Sequence, residues 1–172
     1  LRVRLVARDP MQKLANDAEM SIALGARDRL GMIYVDACHP ATVSTIRLDV
    51  GNRVDLATTA LGRAFLAGIA EPDREFIFER LARKLGDKWP DLKSRILDAK
   101  AQVDERGFCV ADGEWQSDIR AAAVPVVSPD KTEAMAINAA GPGFLATRDK
   151  LEGEVGPRLV HLGRSIAPML SR

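Results

Sequence analysis

Two carboxylates and a tryptophan form a short segment whose residue types could do chemistry. Asp112 and Glu114 lie two positions apart, after the apolar stretch 108–110, and Trp115 follows directly. Such a pair could perform general acid–base work or bind a cation through oxygen. For the pair alone, a solvated turn is the better explanation. The bulky Trp115 side chain favours another interpretation, in which the segment is a loop facing a ligand.

The start of a helix is a second candidate site. Two threonines precede a run of small and apolar residues that ends at Ala67, and threonine is a good N-cap residue. The first amides of a helix have no partner within it, and together with the helix dipole they attract a small anion. Taken alone, the run is better explained by an ordinary capped helix packed on a sheet.

Motifs of the common catalytic and cofactor sites are absent from the sequence. It contains no phosphate-binding G-x-x-x-x-G-K-[ST], no dinucleotide-binding G-x-G-x-x-G, no zinc-binding H-E-x-x-H and no G-x-S-x-G. Neither Cys38 nor Cys109 belongs to a C-x-x-C unit. A nucleophile–base pair would require Cys109 to meet His39 or His161 through the tertiary fold. We therefore predict no catalytic residues, no metal site, no cofactor and a reducing, cytoplasmic setting.

Composition indicates one globular domain that does not bind nucleic acid by itself. Of 172 residues, 47% are apolar and 28% charged, and the net charge of +1 comes from interleaved acids and bases. The cluster Arg2, Arg4 and Arg8 is more typical of a solvated linker than of a phosphate clamp. No apolar run approaches the roughly 18 to 20 residues of a membrane span, which predicts a protein without membrane contact.

Periodicity in the first third of the chain predicts a helix and three strands. Residues 1–20 are expected to form a lead-in and a helix that begins at Pro10. The apolar runs 21–26 and 32–37, separated by a polar tip, predict a hairpin. Residues 45–50 alternate apolar and polar side chains, which predicts a half-buried strand.

The remainder predicts three helices, two strands and a terminal helix. The helices are expected at 57–69, from Pro72 to Gly86 and from Pro90 to Gly107, the strands at 121–127 and 133–140, and the last helix around the stripe Val155, Leu159, Leu162, Ile166 and Leu170. Pro157 either starts or kinks that helix. Hairpins dominate and helices come in blocks, so we predict an α+β fold with helices packed on an antiparallel sheet.

Three blocks in this order resemble the IclR family of bacterial transcriptional regulators. Residues 52–66, NRVDLATTALGRAFL, resemble the family's strand and A-T-A-x-G-K/R-x-x-L-A helix. Residues 106–108 with Asp112 and Glu114 resemble the segment R-G-[YF]…D-x-E-E, and AAVPV and AINAAGP resemble two of the family's strands. From about residue 10 to the C-terminus the chain is identified as resembling the family's effector-binding domain.

The resemblance implies a fold and a function. The fold would be similar to GAF and profilin-like domains, a curved antiparallel sheet with helices packed on it and a small-molecule pocket. Residues 1–10 would end a linker helix and residues 11–172 would form the effector-binding domain. A small carboxylic or aromatic acid would bind without turnover and modulate operator DNA binding allosterically. DNA would be contacted by a winged helix-turn-helix domain that precedes this sequence, which begins with leucine rather than methionine. The implied assembly is a homodimer or homotetramer.

The resemblance also implies a ligand site. Backbone amides of Ala60 and Leu61 would meet the ligand's carboxylate, and Asp112 would lie on a loop over the pocket. The set of expected ligand-binding residues is Ala60, Leu61, Asp112, Ala121, Asn138, Ala140, Leu24, Tyr34 and Trp115. Leu24, Met32, Tyr34 and Trp115 are expected as apolar walls, and ordinary core packing is the alternative explanation for each.

Departures from the family pattern bear on the ligand. Asn138 and Ala140 stand where the family has paired serines, Gly113 replaces a glutamate, and Asp118 replaces a glycine. Loss of the hydroxyls leaves one amide that can donate and accept hydrogen bonds. The pocket is therefore expected to prefer an acid larger or more apolar than glyoxylate.

Two other functions remain open at the level of sequence. One is a metal-assisted enzyme that uses Asp112 and Glu114. The other is an oligomerisation module that binds no ligand. For subunit contact, the alternating stretch 45–50 is a candidate sheet edge.

Overall fold

Six antiparallel strands form one curled sheet with helices on both faces. This computed structural model describes residues 2–41 and 46–171. The strands are β1 Ser21–Asp28, β2 Gly31–Cys38, β3 Arg53–Asp55, β4 Cys109–Asp112, β5 Ile119–Val127 and β6 Ala134–Pro142. Their order across the sheet is β3-β2-β1-β6-β5-β4, and every neighbouring pair is antiparallel. The predicted α+β class is confirmed.

The helices divide between the two faces. They are α1 Arg2–Ala18, α2 Ala60–Gly68, α3 Glu71–Leu85, α4 Trp89–Arg106, α5 Arg148–Lys150 and α6 Gly156–Ile166. Buried side chains of α2, α3 and α4 form one hydrophobic core with one face of the sheet. Side chains of α1 and α6 form a second core with the other face. The sheet is therefore the middle of three layers.

Strand alternation assigns side chains to these two cores. In β6, Ile137 and Ala139 lie in the core under α1 and α6, whereas Ala136 and Ala140 lie in the core under α2. Asn138 shares the α2 face with these two alanines because side chains two positions apart point the same way. This face of the sheet carries the cavity described below.

A β-bulge in the first hairpin shifts this alternation. Gly25 pairs with Tyr34 and Leu24 pairs with Asp36, so Val35 is the extra residue of β2. As a result Tyr34 belongs to the core under α2, while Leu24 belongs to the core under α1 and α6. Asp36, paired with Leu24, points toward α1.

The strand predicted over residues 45–50 is wrong for the residues that the structure describes. Residues 46–49 have no regular secondary structure, and Thr45 lies outside the described residues. The Ser21 hydroxyl donates to the Ile46 carbonyl at 2.6 Å, and the Leu48 N–H donates to His39 Nε2 at 3.1 Å. Side chains thus pair with backbone groups that a ladder would use. The edge strand on this side of the sheet is the three-residue β3.

Pro10 lies inside a helix, whereas Pro157 lies in the first turn of one. The prediction that Pro10 begins the first helix is wrong, because α1 runs continuously from Arg2 with Pro10 inside it. Pro10 is exposed, so water can solvate the carbonyl that loses its N–H partner there. Pro157 lies in the first turn of α6, after the π-helical turn Leu151–Val155. Within the described parts of the chain, no helix has both the length and the apolar character needed to cross a bilayer.

Candidate functional site

The start of α2 contains two backbone amides that have no protein partner in the described part of the chain. Thr59 is the N-cap, in an extended conformation (φ −112°, ψ 150°), and its hydroxyl oxygen accepts from the Gly62 N–H at 3.0 Å. The same hydroxyl donates to the Asp55 carbonyl at 2.6 Å. Among the described residues, nothing accepts from the N–H groups of Ala60 and Leu61. These two donors are available to a ligand.

Gly62 permits the close approach that positions this helix start. A Cβ at residue 62 would lie 2.3 Å from the Leu56 carbonyl oxygen and 2.5 Å from its Cα. These are backbone atoms that cannot rotate away, so only glycine fits. On the sheet side, a Cβ at Gly25 would lie 2.6 Å from Leu61 Cδ2, so the Leu61 side chain would have to shift if residue 25 carried one.

A narrow cavity of about 20 Å³ lies between the α2 start and the sheet. Strands β2, β4, β5 and β6 and the loop 113–118 complete its walls. Its lining residues are Tyr34, Thr59, Ala60, Leu61, Ala111, Glu114, Trp115, Ile119, Ala121, Asn138 and Ala140. The space is about that of one water molecule.

Polar groups on the sheet side of the cavity are sparse. Burial raises the pKa of the Tyr34 phenol to about 12, so its hydroxyl remains a neutral donor and acceptor. Asn138 is 6% exposed, and its Oδ1 has no hydrogen-bond partner in the described structure. The Cys109 thiol lies behind the α2 start, 3.7 Å from the Ala60 carbonyl oxygen rather than against a histidine. Burial raises the pKa of Cys109 to about 12 and makes it a poor nucleophile.

Glu114 joins the cavity loop to two helices. Both of its carboxylate oxygens accept from Arg63 of α2, at 2.6 and 2.8 Å, and Oε1 also accepts from Arg95 of α4 at 2.7 Å. Arg63 is 3% exposed and additionally donates to the Ala57 carbonyl at 2.8 Å. Burial acts to raise the pKa of Glu114, but hydrogen bonds from the two arginines outweigh it and the pKa lies below its ordinary value. Trp115, next along the loop, is 38% exposed.

The structure brings most of the predicted site residues to this cavity. Ala60, Leu61, Ala121, Asn138, Ala140, Tyr34 and Trp115 all line it. Leu24 does not, since the alternation of β1 directs it into the core under α1 and α6. Met32 is buried in the core under α2 without lining the cavity.

Asp112 also lies outside the cavity. It is the exposed last residue of β4, and its carboxylate forms ion pairs with Arg120 at 3.2 Å and Arg148 at 3.8 Å. Ala111, its neighbour, points inward and lines the cavity instead. Within residues 2–41 and 46–171, no cluster of three or more histidine, cysteine, aspartate or glutamate side chains could hold a metal ion.

Sequence reasoning missed four lining residues and one supporting residue. Thr59, Ala111, Glu114 and Ile119 were not among the expected ligand contacts, although Thr59 was expected as a cap and Glu114 as part of an acidic pair. Arg63 was not singled out. An arginine within the apolar run 60–67 is a detectable signal, because a charged side chain on a buried helix face needs a paired partner.

The family description "Bacterial transcriptional regulator IclR C-terminal" matches residues 1–167. The chain is 27% identical over 168 residues to the HTH-type transcriptional regulator TsaQ1/TsaQ2 of Comamonas testosteroni, covering 96% of this chain and 60% of that protein. It is also 27% identical over 132 residues to the Pca regulon regulatory protein of Pseudomonas putida, covering 73% of this chain and 44% of that one. The chain thus spans about three fifths of the first of these regulators.

Solved structures share the fold. An IclR family transcriptional regulator from Brucella abortus has a TM-score of 0.92 at 35% identity, over 99% of this chain and 64% of that one. The inducer binding domain of the transcription factor PobR from Acinetobacter, a double mutant in complex with 3-hydroxybenzoic acid, has a TM-score of 0.76 at 17% identity, over 96% and 97% of the two chains. The latter identity supports a likeness of fold alone. Together with the match over residues 1–167, these relatives show that the chain belongs to the IclR family of bacterial transcriptional regulators, in the part that forms the family's C-terminal domain.

Proposed function

We propose that a small organic acid binds in the cavity at the start of α2 and thereby changes how a larger regulator binds DNA. The observation that carries this proposal is the pair of N–H groups of Ala60 and Leu61, which have no partner among the described residues and belong to residues that line the cavity at the positive end of a helix dipole. A carboxylate can accept from both. The remaining walls are mostly apolar, which suits the rest of a short aliphatic or aromatic acid.

Ligand binding requires the cavity to open. Its volume of about 20 Å³ is far below the roughly 300 to 1,000 Å³ of typical small-molecule pockets. The loop 113–118 is the wall that moves, because Trp115 is partly exposed and the loop contains no regular strand or helix. The ion pairs of Glu114 then determine how easily it moves.

A metal-assisted enzyme is disfavoured by the charges around the two acidic residues. Glu114 is neutralised by Arg63 and Arg95, and Asp112 by Arg120 and Arg148. The two carboxylates also point to different surroundings, one into the cavity wall and the other to solvent. A cation would have to displace four arginines. We therefore propose binding without turnover, in agreement with the regulatory roles of the matched relatives.

The partners follow from the family. We expect a DNA-binding domain to precede α1, operator DNA to be bound by that domain, and the cytoplasm to be the compartment. A homodimer or homotetramer would transmit the change, with coupling of about 1–3 kcal/mol, or about 5- to 150-fold in affinity. The PobR domain was solved with 3-hydroxybenzoic acid, which supports testing aromatic acids first.

The test is a thermal-shift screen of short aliphatic and aromatic acids, followed by calorimetric titration of the hits. A ligand at 100 times its Kd stabilises the folded state by about 2.7 kcal/mol, which corresponds to a rise in Tm of about 5 to 10 °C. Each acid is paired with its neutral primary amide. Tighter binding of the acids is expected, because the helix amides favour the carboxylate.

A matched pair of variants isolates the amide donors. Ala60→Pro removes one N–H at the first helical position, where proline is tolerated, and the extended Thr59 before it suits a following proline. Ala60→Val adds similar bulk and keeps the N–H. Affinity for the acid should fall about tenfold more in Ala60→Pro than in Ala60→Val. Absence of any hit across the panel would leave an oligomerisation module as the better description.

A further inference from the structure

Asn138 places a buried amide side chain among alanines, none of which has a side chain that can hydrogen-bond to it. Its side chain lies between Ala136 and Ala140 on the same face of β6, and its register partners on the neighbouring strands are Ala23 and Ala123. It is 6% exposed, and no described residue donates to its Oδ1. An unpaired buried polar atom destabilises a fold, so its presence here calls for a partner outside the chain.

Because Asn138 lines the cavity, a hydrogen-bond donor held there can supply the partner that its Oδ1 lacks. The opposite wall offers the N–H groups of Ala60 and Leu61, which need an acceptor. The cavity therefore presents donors on its helix side and an unpaired acceptor on its sheet side. A small molecule with an acidic group at one end and a hydrogen-bond donor elsewhere satisfies both walls at once, and the helix dipole favours an anion over a neutral acceptor.

We infer that Asn138 determines ligand specificity, by accepting a hydrogen bond from a hydroxyl or amino group of the organic acid that binds at Ala60 and Leu61. This inference rests on the proposed function and narrows its ligand class. Unsubstituted acids and acids whose hydroxyl is capped leave Oδ1 unpaired, and they bind more weakly. A site built to pair with a polar group discriminates strongly against analogues that lack it.

The experiment compares ligands in sets of three against the same protein. Each set contains a hydroxy acid, its O-methyl ether and the unsubstituted parent acid. The sets differ in skeleton, aromatic or short aliphatic, and in the position of the hydroxyl. In the wild-type chain, at least one hydroxy acid is expected to bind at least about tenfold more tightly than both companions. In Asn138→Leu, which has nearly the same shape, that ratio should fall below about threefold.

Stability of the variants separates this role from a structural one. If Asn138 serves the ligand, the Tm of ligand-free Asn138→Leu should equal or exceed that of the wild type, because an unpaired amide has been removed. A purely structural asparagine would give a lower Tm. Asn138→Ala is the companion variant, because its neighbours at positions 136 and 140 are already alanine. If a variant does not fold, the affinities of the wild-type chain for hydroxy acid, ether and parent acid still test whether the site requires a hydroxyl donor.

The outcomes distinguish this inference from the proposed function. Equal affinities for hydroxy acid, ether and parent would overturn the role of Asn138 and leave acid binding intact. An ether that binds as tightly as the hydroxy acid, with the parent weaker, would show Asn138 acting as donor and would also overturn it. Failure of every acid to bind would overturn both.

Discussion

Glu114 shows how one side chain can hold a cavity wall in place. Its carboxylate lies between Arg63, which is nearly inaccessible to solvent, and Arg95, which is half-exposed. Loss of the carboxylate leaves the Arg63 charge buried with only the Ala57 carbonyl as partner. A buried charge that loses its partner is strongly destabilising.

Glu114→Gln should therefore lower the free energy of unfolding at pH 7 by about 2 kcal/mol, measured by urea denaturation. The control is Glu79→Gln, which removes one member of the exposed ion pair between Glu79 and Arg83 on α3. We expect that control to change stability by less than about 0.5 kcal/mol. An equal effect of the two substitutions would mean that Arg63 does not depend on Glu114.

We also expect the stability difference between wild type and Glu114→Gln to depend on pH. The folded-state pKa of Glu114 lies below its ordinary value of 4.5, so its ion pairs stabilise the fold above that pH. As the pH falls through the folded pKa, the carboxylate becomes protonated and this contribution disappears. The stability difference between wild type and Glu114→Gln should therefore be constant near neutrality and shrink below about pH 4.5. A difference that stays constant down to pH 3 would contradict the assignment.

At the residue scale, sequence reasoning recovered backbone positions better than side-chain directions. Resemblance placed Ala60, Leu61 and Asn138 at the cavity because a helix start and a strand are rigid frames. Leu24 and Asp112 were misplaced because a strand sends neighbouring side chains to opposite faces, and a one-residue error reverses the direction. The bulge at Val35 adds a further shift, and nothing in the residue types there indicates it.

At the scale of elements, the start of α2 depends on a close contact between two backbone segments. Gly62 packs against Leu56, and Thr59 caps the helix between them. The A-T-T-A-L-G run therefore predicts a capped helix from sequence, but it does not show why residue 62 must be glycine. That reason is a tertiary contact with the chain that enters the helix, which the residue types leave unspecified.

Gly62→Ala should displace the helix start. A Cβ there would overlap the Leu56 backbone, which predicts a loss of about 3 kcal/mol in the free energy of unfolding and loss of acid binding. Gly153→Ala is the matched control, because a Cβ at Gly153 meets nothing within 4 Å. That variant should be unchanged or gain up to about 1 kcal/mol from the better helix propensity of alanine. Wild-type binding by Gly62→Ala would show that the amides of Ala60 and Leu61 are not positioned by this contact.

The segment 46–49 illustrates why an alternating pattern can fail to form a strand. Leu48 is 1% exposed and Ile46 packs against the core under α2, as the predicted strand required, but Val50, the third apolar member of the alternation, is 56% exposed. What sequence could not show is that His39 and Ser21 side chains take the backbone groups of the segment. Backbone hydrogen bonding, rather than side-chain burial, decides whether a segment joins a sheet. The two predicted hairpins were better determined than this segment, because turn residues and apolar runs both indicated them. Both are confirmed, as β1–β2 and β5–β6.

At the scale of the whole molecule, the sheet separates the cavity from α1. Tyr34 and Asp36 lie two positions apart in β2, yet the bulge directs Tyr34 to the cavity and Asp36 to the opposite face. There the Asp36 carboxylate is 2.5 Å from Arg8 and 3.6 Å from Arg4, both on α1. β2 is therefore a short physical connection between the proposed ligand and the helix that we expect to lead to the DNA-binding domain.

Asp36→Asn tests this connection. Its carboxylate is almost fully buried while both arginines are half-exposed, so water compensates part of the loss and the free energy of unfolding should fall by about 1 to 2 kcal/mol. Amide hydrogen exchange should rise in the first half of α1 and remain unchanged in α6. Acid affinity should stay within about threefold of wild type, because the cavity lining is intact, whereas ligand-induced protection of α1 should be lost.

The control is Asp17→Asn, at a more exposed α1 carboxylate paired with Lys13 and Arg158, which should keep that protection. Protection of α1 by ligand that survives in Asp36→Asn would show that coupling reaches α1 by another route.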